Sequence, residues 1–226
     1  PLLFSTYAFG QEPRSTPMTA VSSLDSDLTL ESIASDVEAT QNNLELEDEV
    51  KKQILSQFAK AEQALRDFAS ARSRTEELNL MASTADQEES RLESELSSLT
   101  QSTFTIPSNA KLKELDDLLR NAVDSLSDLE TEVKTLADEM PERTRRAAEL
   151  PAEIAEYRRL TEELQSQAKA TPPAGERREL TNARRTRIAS EVLLYAQRIA
   201  ESEAEQAAYT ATNGLVPKQE NLAKKR

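Results

Sequence analysis

One feature of this sequence restricts its fold more than any other: a long run of apolar residues that recurs twice in every seven positions. From Leu112, alternating steps of three and four residues reach sixteen positions, of which fourteen are apolar and two, Arg143 and Thr161, are polar. We call this set the long stripe: Leu112, Leu115, Leu119, Ala122, Leu126, Leu129, Val133, Leu136, Met140, Arg143, Ala147, Leu150, Ile154, Tyr157, Thr161 and Leu164. A sustained period of 3.5 residues is typical of a helix that lies lengthwise against other helices in a left-handed coiled coil.

The composition agrees with long helices that share a narrow apolar face. Only three of the 226 residues are Gly, aromatic residues make up 4% of the chain, and charged residues make up 31%. Because so few glycines allow few tight turns, the connections must separate long elements. The sequence therefore predicts an all-α fold of long antiparallel helical hairpins, packed as coiled coil.

Two helices are expected between residues 28 and 100, after a flexible Pro-, Ser- and Thr-rich segment at 11–27. The first is short, carries Leu30, Ile33, Val37 and Leu44 at helical spacing, and is interrupted at residues 42–43. The second runs from about residue 47 to residue 99. Its apolar positions are Val50, Ile54, Phe58, Ala61, Leu65, Phe68, Leu78, Met81, Ala85, Leu92, Leu96 and Leu99. Arg72 and Thr75 interrupt this face, where they either loosen the packing or fix the register.

A β-branched, Pro-containing turn at residues 101–110 is expected to end the second helix and to form the bend of a hairpin. A long helix over 111–168 follows. Pro141 and Pro151 fall inside it, and the long stripe keeps its phase across both. We therefore expect either a kinked continuous helix or a short break at Pro141, which would then lie in the first turn of a new helix.

The Pro-Pro-Ala-Gly run makes residues 169–175 a second turn, and a final helix is expected over 176–226, interrupted near Gly214. Its apolar face is expected to follow Leu180, Arg184, Ile188, Val192, Tyr195 and Ile199.

The net charge of −13 argues against a nucleic-acid partner, because binding to phosphates requires clustered basic side chains. The charge is uneven: residues 1–140 carry 12 basic and 28 acidic side chains, and residues 141–226 carry 16 and 13. Two basic clusters stand out: Arg143, Arg145 and Arg146, and Arg177, Arg178, Arg184, Arg185 and Arg187. The favoured interpretation is that they pair with the acidic first part across helix interfaces; the alternative is contact with an anionic cell-wall polymer or lipid headgroups.

Groups for catalysis or for metal binding are scarce in this sequence. The chain contains no Cys and no His, which removes the commonest general base and the softer metal ligands. Residues 166–169 match a Ser-x-x-Lys signature, but its partner motifs are missing. Paired carboxylates such as Glu88 with Glu89, or Asp116 with Asp117, are typical of solvated helix faces. We therefore predict no enzyme activity, no catalytic, cofactor-binding or metal-binding residues, no cofactor and no small-molecule substrate.

The first ten residues resemble the end of an export signal. They are largely apolar and close in Ala8-Phe9-Gly10, a small-x-small pattern like that before a signal-peptidase cut. After residue 10, no apolar run approaches the roughly 20 residues that a membrane-spanning helix needs. We therefore expect residues 1–10 to be the end of a signal peptide; the alternative is an apolar tail without that role.

Three segments carry a resemblance to a known family: the Lys113-Glu-Leu-Asp-Asp-Leu-Leu-Arg-Asn-Ala-Val-Asp-Ser-Leu run, Met140-Pro-Glu-Arg, and the Glu179-Leu-Thr-Asn-Ala-Arg-Arg-Thr-Arg-Ile-Ala-Ser-Glu-Val run. With the pattern over residues 28–226, they resemble the exported N-terminal helical region, the porin-type domain, of large MscS-superfamily mechanosensitive channels of the MscK (KefA) type.

The resemblance implies a periplasmic, non-catalytic coiled-coil extension of an inner-membrane ion channel, acting in channel assembly, sensing or cell-envelope contact. Its expected partners are copies of itself, other parts of the same channel and cell-envelope components. The alternative is a periplasmic adaptor-like or free-standing coiled-coil scaffold that bridges partner proteins.

Overall fold

The computed structural model describes residues 28–101 and 111–226, and within them the fold is all-α, as the sequence predicts. The five helices of this part are α1 (Leu30–Asn42), α2 (Asp48–Gln101), α3 (Leu112–Lys169), α4 (Arg178–Ala211) and α5 (Leu215–Lys225). The predicted signal-peptide end at 1–10, the lead-in at 11–27 and nearly all of the predicted turn at 101–110 lie outside the described residues.

Helix α1 starts at a reciprocal cap. The Ser32 amide donates to Thr29 Oγ1 at 3.1 Å, and the Thr29 amide donates to Ser32 Oγ at 3.0 Å, which satisfies two amides that have no partner inside the helix. Leu44 lies beyond the end of α1 and is 95% exposed, so its assignment to the first apolar face is wrong. Leu46, in the following turn, is the residue that enters the core.

Helices α2 and α4 run parallel. At one end Ala183 of α4 packs in a core cluster with Ile54 and Phe58 of α2, and further along Gln197 Nε2 donates to Thr75 Oγ1 at 2.8 Å. Residue numbers therefore rise together along the two helices. The interface continues into α5, where Lys218 Nζ lies 2.5 Å from Glu89 Oε1.

Helices α3 and α4 form an antiparallel hairpin. Arg143 of α3 contacts Thr212, which follows α4, and Tyr157 stacks on Tyr195 with ring centroids 5.8 Å apart, so the numbers fall on one helix as they rise on the other. Gly175, at φ +82°, supplies the left-handed conformation in the connection. In the described residues no Cα of α2 lies within 8 Å of one in α3, so both helices pack on α4 rather than on each other.

Helix α4 is thus the central element, and its small buried side chains reflect that position. Ala183, Ser190 and Ala208 are completely buried, and Ser202 and Ala204 are nearly so. Small side chains allow two neighbouring helices to approach one helix from different sides. The prediction of a single apolar face therefore describes only part of the buried surface of α4, because α2 and α3 both cover this helix.

Of the two arrangements expected at Pro141, the structure shows the continuous helix: α3 passes through both Pro141 and Pro151. Each proline lacks the N–H that would bond to the preceding turn, and both side chains are exposed. In the described part of the chain, no helix combines the length and the hydrophobicity that crossing a bilayer requires.

Candidate functional site

The burial of the long stripe changes along α3. Leu150, Ile154 and Leu164 are buried, and the positions from Leu129 to Met140 are half-buried. The register of the stripe is therefore confirmed from Leu129 onward. The five positions before it are exposed: Leu112, Leu115, Leu119, Ala122 and Leu126.

The expectation that Leu119 and Leu126 are covered is wrong within this chain, since they are 63% and 57% exposed. The reason is the position of α4 and α5 along α3. Helix α3 packs only on α4 and α5 among the described elements, and its antiparallel direction places them beside its later residues. The first four turns of α3 extend past this cover.

A polar cluster joins α3 to α4 where the stripe is covered. The Arg146 guanidinium donates to both carboxylate oxygens of Glu205 in α4, with Nε–Oε1 at 3.1 Å and Nη2–Oε2 at 2.9 Å, and its Nη1 lies 2.6 Å from Glu153 Oε2. The Glu205 side chain is 14% exposed and that of Arg146 is 31% exposed. A forked pair of this kind fixes orientation as well as distance, because both hydrogen bonds fail when one helix slides.

Two tyrosines and a second arginine complete this cluster. The Tyr157 hydroxyl donates to Glu153 at 2.9 Å, and the Tyr209 hydroxyl donates to Glu205 at 2.7 Å. The Arg143 guanidinium lies 5.6 Å from the centre of the Tyr209 ring. We call Arg143, Arg146, Glu153, Tyr157, Glu205 and Tyr209 the polar cluster.

The electrostatics of the polar cluster favour its charged pairs. Burial raises the pKa of Glu153, but hydrogen bonds from Arg146 and Tyr157 and the charges of Arg146 and Arg198 outweigh it, so the pKa lies below its ordinary value. The hydrogen bond to Glu205 is the main cause that raises the pKa of Arg146. Burial, followed by the hydrogen bond to Glu205, raises the pKa of Tyr209. Glu153 and Arg146 are therefore ionised near pH 7, and Tyr209 is neutral.

The favoured pairing of the basic clusters with the acidic first part across helix interfaces is wrong for the arginines with described ion pairs. Arg143 pairs with Glu139 on its own helix, Arg146 with Glu153 and Glu205, and Arg187 with Glu191. Arg145 pairs with Glu142 and Glu149, and Arg184 with Glu176. Ion pairs between the acidic first part and the rest of the chain are made instead by Lys218, which contacts Glu89 and Glu93, and by Arg226, which contacts Glu95. The sequence analysis did not predict these acids as partners of Lys218 or Arg226, since spacing within one helix gives no signal for contacts between helices.

The residues considered for catalysis are dispersed. Ser166 and Lys169 lie exposed in the last turns of α3, and Glu88 and Glu89 have separate partners, Arg91 and Lys218. In residues 28–101 and 111–226 no group of three or more acidic side chains is arranged to hold a metal ion. The absence of catalytic, cofactor-binding and metal-binding residues stays a prediction.

A shallow groove of about 340 Å³ runs beside the polar cluster, open to solvent between α3 and α4. Its lining mixes Met140, Ala147 and Tyr209 with exposed polar side chains. Such an open surface lacks the enclosure that is usual for small-molecule sites.

Comparison with known proteins gives one match. A family model described as the mechanosensitive ion channel porin domain matches residues 36–226, which include all of α2 to α5. No curated protein and no solved structure matches the chain. Because the family model covers most of the sequence, the chain belongs to the mechanosensitive ion channel porin domain family.

Proposed function

We propose that this chain is a non-catalytic, periplasmic helical extension of a mechanosensitive channel, acting in channel assembly, sensing or contact with the cell envelope. The observation that carries the proposal is the family membership over residues 36–226, which links the chain to channels that respond to membrane tension. The export-signal pattern at residues 1–10 supports the periplasmic side, because a signal of this kind directs the following segment across the inner membrane.

The fold suits a mechanical role. Helix α3 has 58 residues, which corresponds to a length of about 85 Å at the ordinary helical rise. It is held along α4 by buried apolar residues and by the polar cluster, and α4 is held in turn along α2. Because the forked Arg146–Glu205 contact opposes sliding of α3 on α4, a force applied at one end would displace the assembly as a unit.

The test uses the complete channel that carries this domain, expressed in cells without other mechanosensitive channels. Membrane patches would compare the intact channel with a version that lacks residues 28–226. We expect the deletion to change the tension for half-opening or the number of active channels per patch. Unchanged tension and unchanged channel number would contradict a role in sensing or assembly.

The side of the membrane is tested by labelling. The 226-residue chain has no Cys, so Leu44→Cys, at a position that is 95% exposed, creates a single thiol within this part of the channel. We expect a membrane-impermeant thiol reagent applied to the periplasm to label it in the complete channel, with the unsubstituted channel as the control. Labelling only after the inner membrane is opened would contradict the periplasmic location.

The adaptor or scaffold interpretation makes a different prediction about the gene beyond Arg226. Several apolar spans of about 20 residues fit a channel, whereas a β-rich lipoyl-like or barrel domain fits an adaptor. Finding the second arrangement would replace the proposed function.

A further inference from the structure

The start of α3 exposes an unusual concentration of apolar surface. Six large apolar side chains within fifteen residues are between 37% and 85% exposed: Leu112, Leu115, Leu118, Leu119, Val123 and Leu126. Four of them belong to the long stripe, and Leu118 and Val123 lie immediately beside it. A contiguous apolar face of this kind marks an interaction surface, for another protein or for a membrane.

The charges around this face indicate what kind of partner fits. Glu114, Asp117 and Asp124 lie on the far side of the helix in the heptad register of the stripe, so they leave the apolar face itself free of carboxylates. Residues 111–126 carry four acidic and three basic side chains, so the segment lacks the cluster of positive charge that binding to anionic lipid or an anionic polymer requires. An apolar helix face with few charges at its edges is instead suited to another helix.

We infer that residues 111–126, the N-cap residue and the first turns of α3, form a parallel, in-register interface between copies of this chain. In a parallel pair of helices, each residue just before the first stripe position of a heptad faces the residue five positions later on the partner helix. Lys111 of one copy, the N-cap residue whose carbonyl accepts the first hydrogen bond of α3, then lies nearest Asp116 of the other, and Leu118 faces Val123. In this arrangement the charged edge residues, Lys111 and Asp116, attract each other across the interface. The apolar edge residues, Leu118 and Val123, pack against each other.

An antiparallel pair of helices gives Asp116 a less favourable partner. Depending on register, it places Asp116 beside Val123, beside Glu130 or beside Asp116 of the second copy. The first buries a charge against an apolar side chain, and the other two bring like charges together. The same edge residues therefore favour parallel over antiparallel pairing.

The inference deepens the assembly role proposed above and rests on it, because copies of a channel subunit around one axis run in the same direction. Its tests use the isolated 226-residue chain, whereas the proposed function is tested by tension in the complete channel. A chain that stays monomeric would overturn the interface and leave the tension result to decide the channel role.

The first test is sedimentation equilibrium over a range of concentrations. We expect an average mass above the 25.2 kDa of one chain, and we expect Leu119→Asp with Leu126→Asp to weaken association by at least about tenfold, since both charges would enter the seam. The matched control is Asn121→Asp with Ser127→Asp, which adds the same charge on exposed positions off the stripe. A monomeric wild-type chain, or equal dissociation of the control, would overturn the proposal.

The second test determines the direction of the helices by oxidative cross-linking. Leu115→Cys alone and Leu126→Cys alone should each give a covalent dimer, because identical positions face each other in a parallel pair. The Asn121→Cys variant is the control and should not cross-link. A disulfide that forms only when the Leu115→Cys and Leu126→Cys chains are mixed would show an antiparallel pair and would overturn the proposal.

A charge reversal gives a third, independent readout. Lys111→Glu alone should weaken association by about two- to fivefold, and adding Asp116→Lys should restore it, because the pair is recreated in the opposite sense. Circular dichroism would show whether each variant keeps its helices. No recovery in the double variant, with helicity intact, would contradict the parallel register.

Discussion

Leu150 and Leu119 occupy equivalent kinds of position in one stripe, yet one is fully buried and the other is 63% exposed. At the residue scale, the contribution of an apolar side chain to stability depends on whether a neighbour covers it. Burial of a leucine removes its surface from water and fills space among close-packed atoms, so its loss leaves a cavity. An exposed leucine contributes little until a partner covers it.

This difference predicts the effects of two identical substitutions. Leu150→Ala should lower the free energy of unfolding by about 2–5 kcal/mol, whereas Leu119→Ala should change it by less than about 0.5 kcal/mol in the monomer. Urea denaturation at a concentration where the chain is monomeric measures both. Similar losses for the two variants would show that residues 112–126 are covered by another part of the same chain.

The polar cluster supplies a second residue-scale prediction. Arg146→Gln leaves the Glu205 carboxylate, which is 14% exposed, without its forked partner, and we expect a loss of about 1–3 kcal/mol in unfolding free energy. Arg145→Gln is the control, because Arg145 makes its described ion pairs with exposed carboxylates on its own helix and should change stability little. The prediction fails if the two variants unfold at the same urea concentration.

At the scale of the element, Pro141 shows how packing can maintain a helix that its sequence weakens. Pro141 interrupts the backbone hydrogen bonds of α3, and the helix nevertheless continues to Lys169. Its neighbours Met140 and Arg143 are partly buried, so contacts on either side hold both halves in one register. The sequence left two outcomes open at this position because the local effect of proline does not include those contacts.

A proline exchange tests this explanation. Pro141→Ala should raise the unfolding free energy by about 1–3 kcal/mol, since the helix regains a hydrogen bond and loses a steric clash. Pro217→Ala is the control, because Pro217 lies in the first turn of α5, where a missing N–H has no helical partner to lose. Thermal denaturation followed by circular dichroism would compare them, and an unstable Pro141→Ala variant would mean that the fold requires a local distortion.

At the scale of the whole molecule, the chain is held together by carboxylates as well as by apolar contact. Glu153 and Glu205 join α3 to α4, and Glu89 and Glu93 join α2 to α5 through Lys218. The hydrogen bonds to Glu89 and Glu93 raise the pKa of Lys218. Such contacts strengthen the fold only while the carboxylates are ionised.

Acid should therefore weaken the molecule. The pKa of Glu153 is lowered in the folded state, so its contribution is present above the ordinary value of 4.5 and is lost as the pH falls through the folded value. We expect the urea midpoint to drop as the pH falls below about 4.5, and we expect Glu153→Gln to drop less steeply over the same range. An identical pH dependence in the two proteins would contradict this assignment.

By itself, the sequence determined the all-α class and the face of α3 that packs, because both depend on the spacing of side chains along one helix. Leu150, Ile154 and Leu164 are buried where the stripe placed them. Only the tertiary structure decided which helix covers which, since α2 runs parallel to α4 and α3 runs antiparallel to it. It therefore also decided that Leu119 and Leu126 are exposed and that Glu205 is the partner of Arg146. The physical reason is that a heptad pattern specifies which face of a helix is apolar. Which helix packs on that face depends on the connections and on contacts between residues distant in the chain.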